Sequence, residues 1–283
     1  MSEKQEQAIV PETLEGWAVL HEVFHIHWPS WNGLSKEGKS QATAEATDYL
    51  ERISKPERGE SAAFSLLGHK GDLLLLHFRP TFDELNQVEL GLRKLSLADH
   101  LTPVDSYLSC VELGLYEWTA KLHDRLLAEG LEPDGEEWNK RWQADTAAQR
   151  ERVRARLYLS MPGDRYLCFY PMNKRRGETV NWYQVPMESR QRMMREHGMV
   201  GRNYAGRVTH EITGSLGFDD WEWGVYLFAK DPLVFKKLIY EMRFDEASAL
   251  YAEFGPFCLG LRFPPEELPK LLCGQTPSLK NDP

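Results

Sequence analysis

Apolar positions along this chain change their spacing in a regular order. Trp17–Trp28 reads as a strand. Ser35–Ile53 is acidic and Ala-rich with spaced leucines, which predicts a helix. Ser61–Gly68 and Asp72–Phe78 read as two strands joined by a short turn containing Gly68 and Gly71. Thr81–Leu95 is predicted as a helix, with Thr81 as N-cap and Glu84 at the capping-box position. Val104–Leu115 is a further strand. The order is β-α-β-β-α-β.

The second half repeats it. Arg165–Tyr170 is a strand, and Pro171 is expected to stop its ladder. Pro186–Val200 is a helix with proline near its start and Gly201 past its end. Arg207–Gly214 and Trp221–Phe228 are strands. Asp231–Arg243 is a helix, with Asp231 as N-cap and Pro232 at its first position, and Pro256–Arg262 is a final strand. Corresponding elements start about 146–152 residues apart, without convincing residue identity between the halves. Each half is therefore a ferredoxin-like unit with one sheet face free of helices. Burying those faces against each other predicts an α+β fold, a dimeric α+β barrel within one chain with helices outside. Residues 117–155, highly charged and expected to be partly helical, join the halves and contain a Glu-Pro-Asp-Gly turn at 132–135.

Composition narrows the class. With 283 residues, 42% hydrophobic and 27% charged, the chain is globular and long enough for two domains. No run approaches ~18 uninterrupted apolar residues, so no membrane span is expected. The opening Met-Ser-Glu-Lys-Gln-Glu-Gln lacks the apolar core of a signal peptide. Cys110, Cys168, Cys258 and Cys273 form no C-x-x-C pair and read as thiols of a cytoplasmic protein. The net charge of −9 argues against nucleic acid as partner. Yet residues 152–207 hold 12 Lys/Arg against 4 Asp/Glu, leaving 22 against 39 for the rest. A basic island in an acidic chain suits either a small anionic ligand or a solvated basic helix face.

Several residues carry candidate chemistry beside a plainer reading. His21-Glu22-Val23-Phe24-His25 matches the H-E-x-x-H zinc pattern, but that chemistry needs a helix. On a strand, His21, His25 and His27 share one face without an obvious third ligand. His197 lies in the last turn of its predicted helix, on the side of Met193 and Met194. It is either a packed histidine at the helix C-terminus or an axial ligand, since one histidine on an apolar face can hold haem iron. Alternation puts Val208, His210 and Ile212 on one strand face, so His210 is a core group or aims into a cavity. Tyr170 is a rim packing residue or an oxidisable one, with Lys174 four residues on. Trp182, Trp221 and Trp223 fill a core or line a flat ligand.

Three motifs carry a resemblance. Phe-Tyr-Pro-Met-x-Lys from Phe169, Arg-x-His-Gly-Met-x-Gly-Arg from Arg195 and Gly-Phe-Asp-Asp-Trp-Glu-Trp-Gly from Gly217 together resemble the coproheme decarboxylases, within the chlorite-dismutase-like haem proteins. The resemblance is dense from Arg156 to Phe257, with weaker echoes at Leu14–Trp31 and Ser106–Tyr116. It implies paired ferredoxin-like domains, often assembled as a homopentamer. It implies His197 as proximal iron ligand, Tyr170 as the radical-forming tyrosine and Lys174 as its cationic partner. Arg156, Arg243, Ser248 and Tyr116 would hold propionates, and Met172, Trp182 and Trp223 would lie close to the porphyrin. The implied substrate and redox centre is Fe-coproporphyrin III, with hydrogen peroxide as oxidant. A Tyr170 radical would take hydrogen from two propionates in turn, and loss of carbon dioxide would leave vinyls and give haem b. Transient contact with the ferrochelatase that supplies coproheme is a further expectation.

The strand position often held by glutamine in these decarboxylases, and by arginine in chlorite dismutases, is His210 here. An imidazole there suits a distal base toward peroxide. The competing functions are chlorite dismutase or general haem peroxidase, and a non-catalytic haem carrier or sensor. The expected division is a flexible tail at 1–13, a structural N-terminal ferredoxin-like domain at 14–116, the connector at 117–155, a haem-binding ferredoxin-like domain at 156–273, and a tail at 274–283.

Overall fold

A strand buried on both faces needs a layer on each side, and the first strand of this chain is buried on both. In the computed structural model, which describes residues 10–279, β1 (Thr13–Ile26) turns Val19, His21 and Val23 one way and Leu20, Glu22, Phe24 and Ile26 the other, all buried. The first half continues with α1 (Trp28–Asn32), α2 (Lys36–Ser54), β2 (Glu60–Leu67), β3 (Leu73–Arg79), α3 (Phe82–Leu92) and β4 (Leu101–Gly114). Thr81 is the N-cap of α3 as predicted: its hydroxyl accepts the Glu84 N–H at 3.2 Å. Then come α4 (Tyr116–Ala128) and α5 (Glu136–Leu157). The second half is β5 (Tyr166–Lys174), α6 (Met187–Arg202), β6 (Thr209–Gly214), β7 (Trp223–Ala229), α7 (Leu233–Met242), α8 (Glu246–Tyr251), β8 (Ala252–Phe254), β9 (Cys258–Phe263) and α9 (Leu268–Leu272).

The strands run in the order β7-β6-β4-β1-β3-β2-β9-β5, and β5 pairs back to β7, closing the sheet. Within each half the order is that of a ferredoxin-like unit, and the halves join at β4–β6 and β2–β9. The lumen is filled from both halves by Val19, Phe64, Phe78, Phe169, Tyr226 and Phe228, among others. Burial of each such side chain contributes ~1.5–3 kcal/mol. The outer faces are covered separately, the first by α2, α3 and α9, the second by α6 and α7.

Some boundaries differ from expectation. β5 continues through Pro171 to Lys174, so Tyr170 is mid-strand. Pro171 falls between register with β9, ending at Phe169↔Cys258, and register with β8, starting at Met172↔Phe254. The connector is partly helical as expected, two helices joined by the turn at 129–135. α4 and α5 stack Trp118, Trp138 and Trp142 with Leu122 and Leu126, and Asp134 takes φ 62° in the turn between them. α6 runs through Gly201 to Arg202, so His197 is not in its last turn. Pro232, not Asp231, caps α7, although the Asp231 carboxylate accepts the Leu233 N–H at 2.9 Å.

The H-E-x-x-H segment is strand, and its side chains diverge with the two-residue period. His21 enters the lumen and bonds Tyr226 Oη at 3.0 Å; burial and then His77 push its pKa down to about 3. Glu22 faces outward to His77, 3.5 Å away. His25 pairs with Asp72 at 3.3 Å. His27 leaves the strand and caps α1, accepting the Ser30 N–H, so it does not share the His21 face. Of the two expected tails, 1–9 and 280–283 lie outside the described residues. Residues 274–279 are held down: Arg165 donates to the Pro277 carbonyl at 2.7 Å, and Ser278 bonds Glu267.

Gly16 lies under the end of α5, where an added Cβ would fall 1.9 Å from the Leu157 carbonyl oxygen. Gly16→Ala must push the connector off β1. Destabilisation of ~1–3 kcal/mol is expected, read as a fall of several degrees in thermal midpoint.

Candidate functional site

Strand register collects the sequence-predicted residues on one face. Cross-strand partners point to the same side of a sheet. His210 pairs with Leu227, which pairs with Cys168. One row on, Ile212, Val225 and Tyr170 align. The next row is Gly214, Trp223, Met172 and Phe254, and Lys174 follows opposite Ala252. All face outward toward α6, α7 and α8, while Leu167, Phe169, Tyr226 and Phe228 fill the lumen. The bulk of this helix-covered face is apolar, from Val208, Leu227, Phe235 and Leu238.

Tyr170 is 5% exposed, with Phe257 stacked at 4.6 Å and Phe254 at 5.7 Å. Arg243, at the end of α7, sits 3.7 Å over the Phe254 ring. The Tyr170 hydroxyl makes no hydrogen bond among the described residues. Burial, and then Cys168, raise its pKa well above the ordinary phenol value, and Arg243 opposes them. The phenol therefore keeps its proton at neutral pH.

Lys174 Nζ donates to the Ala247 carbonyl at 3.2 Å and lies 4.3 Å from the centre of the Trp182 ring. Burial pushes its pKa down to about 8, and Asp245 and Glu222 pull the other way. Trp182 is fully buried, and its indole N–H has no partner among the described residues. Met193 and Ala247 pack beside it, with Tyr116 at 6.4 Å. Trp223 donates to Glu112 Oε1 at 3.0 Å, a contact from the first half into the second.

His197 projects from α6 and bonds Asp245 Oδ2 through Nδ1 at 3.0 Å. Ser248 Oγ donates to the same oxygen at 2.9 Å and lies 3.4 Å from that nitrogen. Burial raises the Asp245 carboxyl, but His197 and Ser248 outweigh it and hold its pKa below the usual range. A carboxylate on Nδ1 orients the ring and leaves Nε2 as the outward nitrogen, the arrangement that metal-ligating histidines use. Across from α6, His210 reaches Gly201, where an added Cβ would lie 3.7 Å from its Cε1. His210 Nε2 is buried without a partner, and burial, then His197, lower its pKa. Arg156 stands apart, exposed in the last turn of α5. Its charge acts on Glu211, whose pKa burial raises to about 7.

Sequence reasoning missed Asp245, Glu222 and Glu112. Asp245 was visible as the Asp-x-x-Ser start of α8, where its side chain accepts the Ser248 N–H. Glu222 lies within the motif 217–224 and is 4% exposed. Glu112 left no local signal, because its partner is 111 residues away. Two clefts, of about 1210 Å³ beside residues 54–63 and about 530 Å³ at the barrel mouth, hold none of the predicted site side chains. No group of three or more His, Cys, Asp or Glu able to hold a metal occurs among the described residues. No helix among them is long and apolar enough to cross a membrane.

Fold and site define a duplicated ferredoxin-like barrel with one helix-covered polar site in its second half. The family model for chlorite dismutase matches residues 39–263. A coproheme decarboxylase of Staphylococcus carnosus is 45% identical over 91% of this chain and 96% of its own. A heme-binding protein of Thermus thermophilus superposes with TM-score 0.80 at 37% identity, covering 95% of this chain and all of that one. A mutant chlorite dismutase of Candidatus Nitrospira defluvii gives TM-score 0.68 at 18% identity over 92% and 96%, which shows the fold alone. The chain belongs to the chlorite dismutase family.

Lys174 carries charge below about pH 8 and loses it above. Competitive amine labelling followed by mass spectrometry is expected to give a Lys174 midpoint near pH 8, well below the ordinary value of about 10.4.

Proposed function

We propose that this chain is an oxidoreductase that decarboxylates two propionates of Fe-coproporphyrin III with hydrogen peroxide, giving haem b. One observation carries the reading: in a chain 45% identical to a protein named coproheme decarboxylase, Tyr170 and Lys174 share one face of β5, opposite a helix bearing a carboxylate-oriented histidine.

The site's own groups fit such a substrate. Trp182 Nε1 and His210 Nε2 are buried polar atoms without partners, each costing ~1–3 kcal/mol if left so. Arg243, Lys174 and the wider basic island suit carboxylates through charge-assisted hydrogen bonds. His197 Nε2 is the nitrogen that would hold iron, with Asp245 fixing the ring. Met172, Trp182 and Trp223 would flank the porphyrin. Tyr116, Ser248 and Arg156 would complete the propionate contacts, Ser248 only by sharing a hydroxyl already given to Asp245.

When bound, the iron porphyrin supplies the oxidising equivalents taken from peroxide. Tyr170 is poised to give up its proton and electron together, because its burial disfavours the phenolate. The resulting phenoxyl oxygen takes a hydrogen atom from a propionate β-carbon. The carbon–carboxylate bond then breaks, carbon dioxide leaves, and the remaining electron returns to the oxidised centre. Each propionate thus consumes one peroxide and one proton, yielding one vinyl, one carbon dioxide and two waters. Lys174, as ammonium, pairs with the reacting carboxylate and holds its β-carbon toward Tyr170. His210, kept neutral at pH 7 by burial, can accept a proton from incoming peroxide. A cytoplasmic setting, a homopentameric assembly and a transient encounter with the coproheme-supplying ferrochelatase belong to the same reading.

Mixing the protein with ferric coproheme and peroxide, then weighing the porphyrin, should show two successive decarboxylations. Tyr170→Phe should bind coproheme and leave its mass unchanged. An unaltered mass with the unmodified protein would leave a carrier, and sustained oxygen release from chlorite would favour the dismutase activity. His210→Ala should slow turnover at limiting peroxide by ~10²–10⁴-fold while coproheme affinity stays within a few fold; an unchanged rate across pH would remove the distal-base role.

A further inference from the structure

The reaction above leaves the three acidic side chains of the motif at 217–224 without a role, and of these only Glu222 is buried. It is 4% exposed, and both its oxygens are engaged. Oε2 accepts the Lys174 backbone N–H at 2.8 Å. Oε1 accepts the Tyr183 hydroxyl at 2.9 Å and lies 3.6 Å from Arg176 Nε. The Glu222 N–H donates to Asn173 Oδ1 at 2.8 Å, and its carbonyl accepts the Ser215 N–H at 2.9 Å. One buried carboxylate thus joins the end of β5, the segment 175–183 and the start of β7. That segment leaves β5 just after Lys174 and returns Trp182 beneath the Lys174 ammonium, closed by the Trp182 N–H to Arg175 carbonyl bond at 2.9 Å.

We propose that Glu222 is the positioning residue for Lys174: it anchors the strand end carrying the ammonium and the segment carrying Trp182, and its buried charge keeps that ammonium protonated. Lys174 faces Glu222 from the start of β7, Asp245 from the N-terminus of α8, the Ala247 carbonyl and the Trp182 ring. Glu222 in turn faces Arg176 and Tyr183 from the 175–183 segment and Tyr107 from β4. Burial drives Lys174 toward the neutral amine, while Asp245 and Glu222 oppose it. Losing one of the two anions in a desolvated site therefore favours deprotonation.

The assignment of Lys174 to a reacting carboxylate rests on the proposed decarboxylation, but its pairing with Glu222 is measurable without any porphyrin. In full-length ligand-free protein, competitive amine labelling of Lys174 is followed against pH for the unmodified chain, Glu222→Gln and Glu222→Asp. Glu222→Gln should lower the Lys174 midpoint by about one unit, and Glu222→Asp should restore most of it. An unchanged midpoint in Glu222→Gln overturns the proposal. With coproheme and peroxide, the same variant should move the alkaline limb of turnover down equally, cutting the rate about fivefold at about pH 8, with coproheme affinity little changed. If no porphyrin is converted by any variant while the labelling midpoints shift, the decarboxylase reading fails and the Glu222 pairing stands. If Glu222→Gln does not fold, Arg176→Gln, at an exposed position, replaces it. Arg176 offsets the Glu222 charge that acts on Lys174, so the Lys174 midpoint should rise without it, and a fall or no change overturns the proposal.

Discussion

The structure depends on β5 being hydrogen-bonded on both of its edges. Pairing with β9 on one side and β7 on the other closes the sheet into a barrel. It also fixes which way each side chain points. Leu167 and Phe169 enter the lumen, while Cys168, Tyr170, Met172 and Lys174 face the helices. A slip of one residue would exchange these sets, sending the tyrosine and the lysine into the hydrocarbon core. Core packing and the alignment of the polar site are thus one constraint, enforced by the aromatic residues that fill the lumen.

The two halves share a topology but use their outer faces differently. In the first half, Phe24, Ile26, Trp31, Leu73 and Leu75 pack against α2, and the buried polar groups on that side, Glu22 and His77, face each other. In the second, the face carries Tyr170, Lys174 and His210 among apolar neighbours, with His197 opposite on α6. Leaving the polar atoms of Trp182 and His210 buried without partners costs stability. The polar groups on this face are the ones the proposed function uses, and neither open cleft holds them. Carboxylates anchor both elements of this face: Asp245 bonds the His197 ring, and Glu222 accepts the Lys174 backbone N–H.

The duplicated order of elements and the closed barrel were legible in the sequence because two-residue and helical apolar periods survive any context. His197, Tyr170 and Lys174 were legible because they sit in dense local motifs. Less legible were the places where a distant partner overrules a local rule. Pro171 should end a strand, but β8 and β9 exchange places beside it, and the strand continues. Gly201 was expected past the end of its helix, but α6 runs through it to Arg202, and the glycine's missing side chain leaves room for His210 and Met242. The connector's helical character and its turn at 132–135 were legible, but the packing of its three tryptophans was not, because they meet only once α4 and α5 fold back on each other.

By itself the sequence determined the class of fold and the family, which its densest motifs carry. These follow from near-neighbour spacing along one strand or helix. Only the tertiary structure decided which carboxylate serves which side chain. Asp245 lies 48 residues from His197, Glu222 lies 48 from Lys174, and Glu112 lies 111 from Trp223. Hydrogen bonds of that reach exist only after the barrel has closed, since closure sets both the face on which a side chain stands and the partner waiting there.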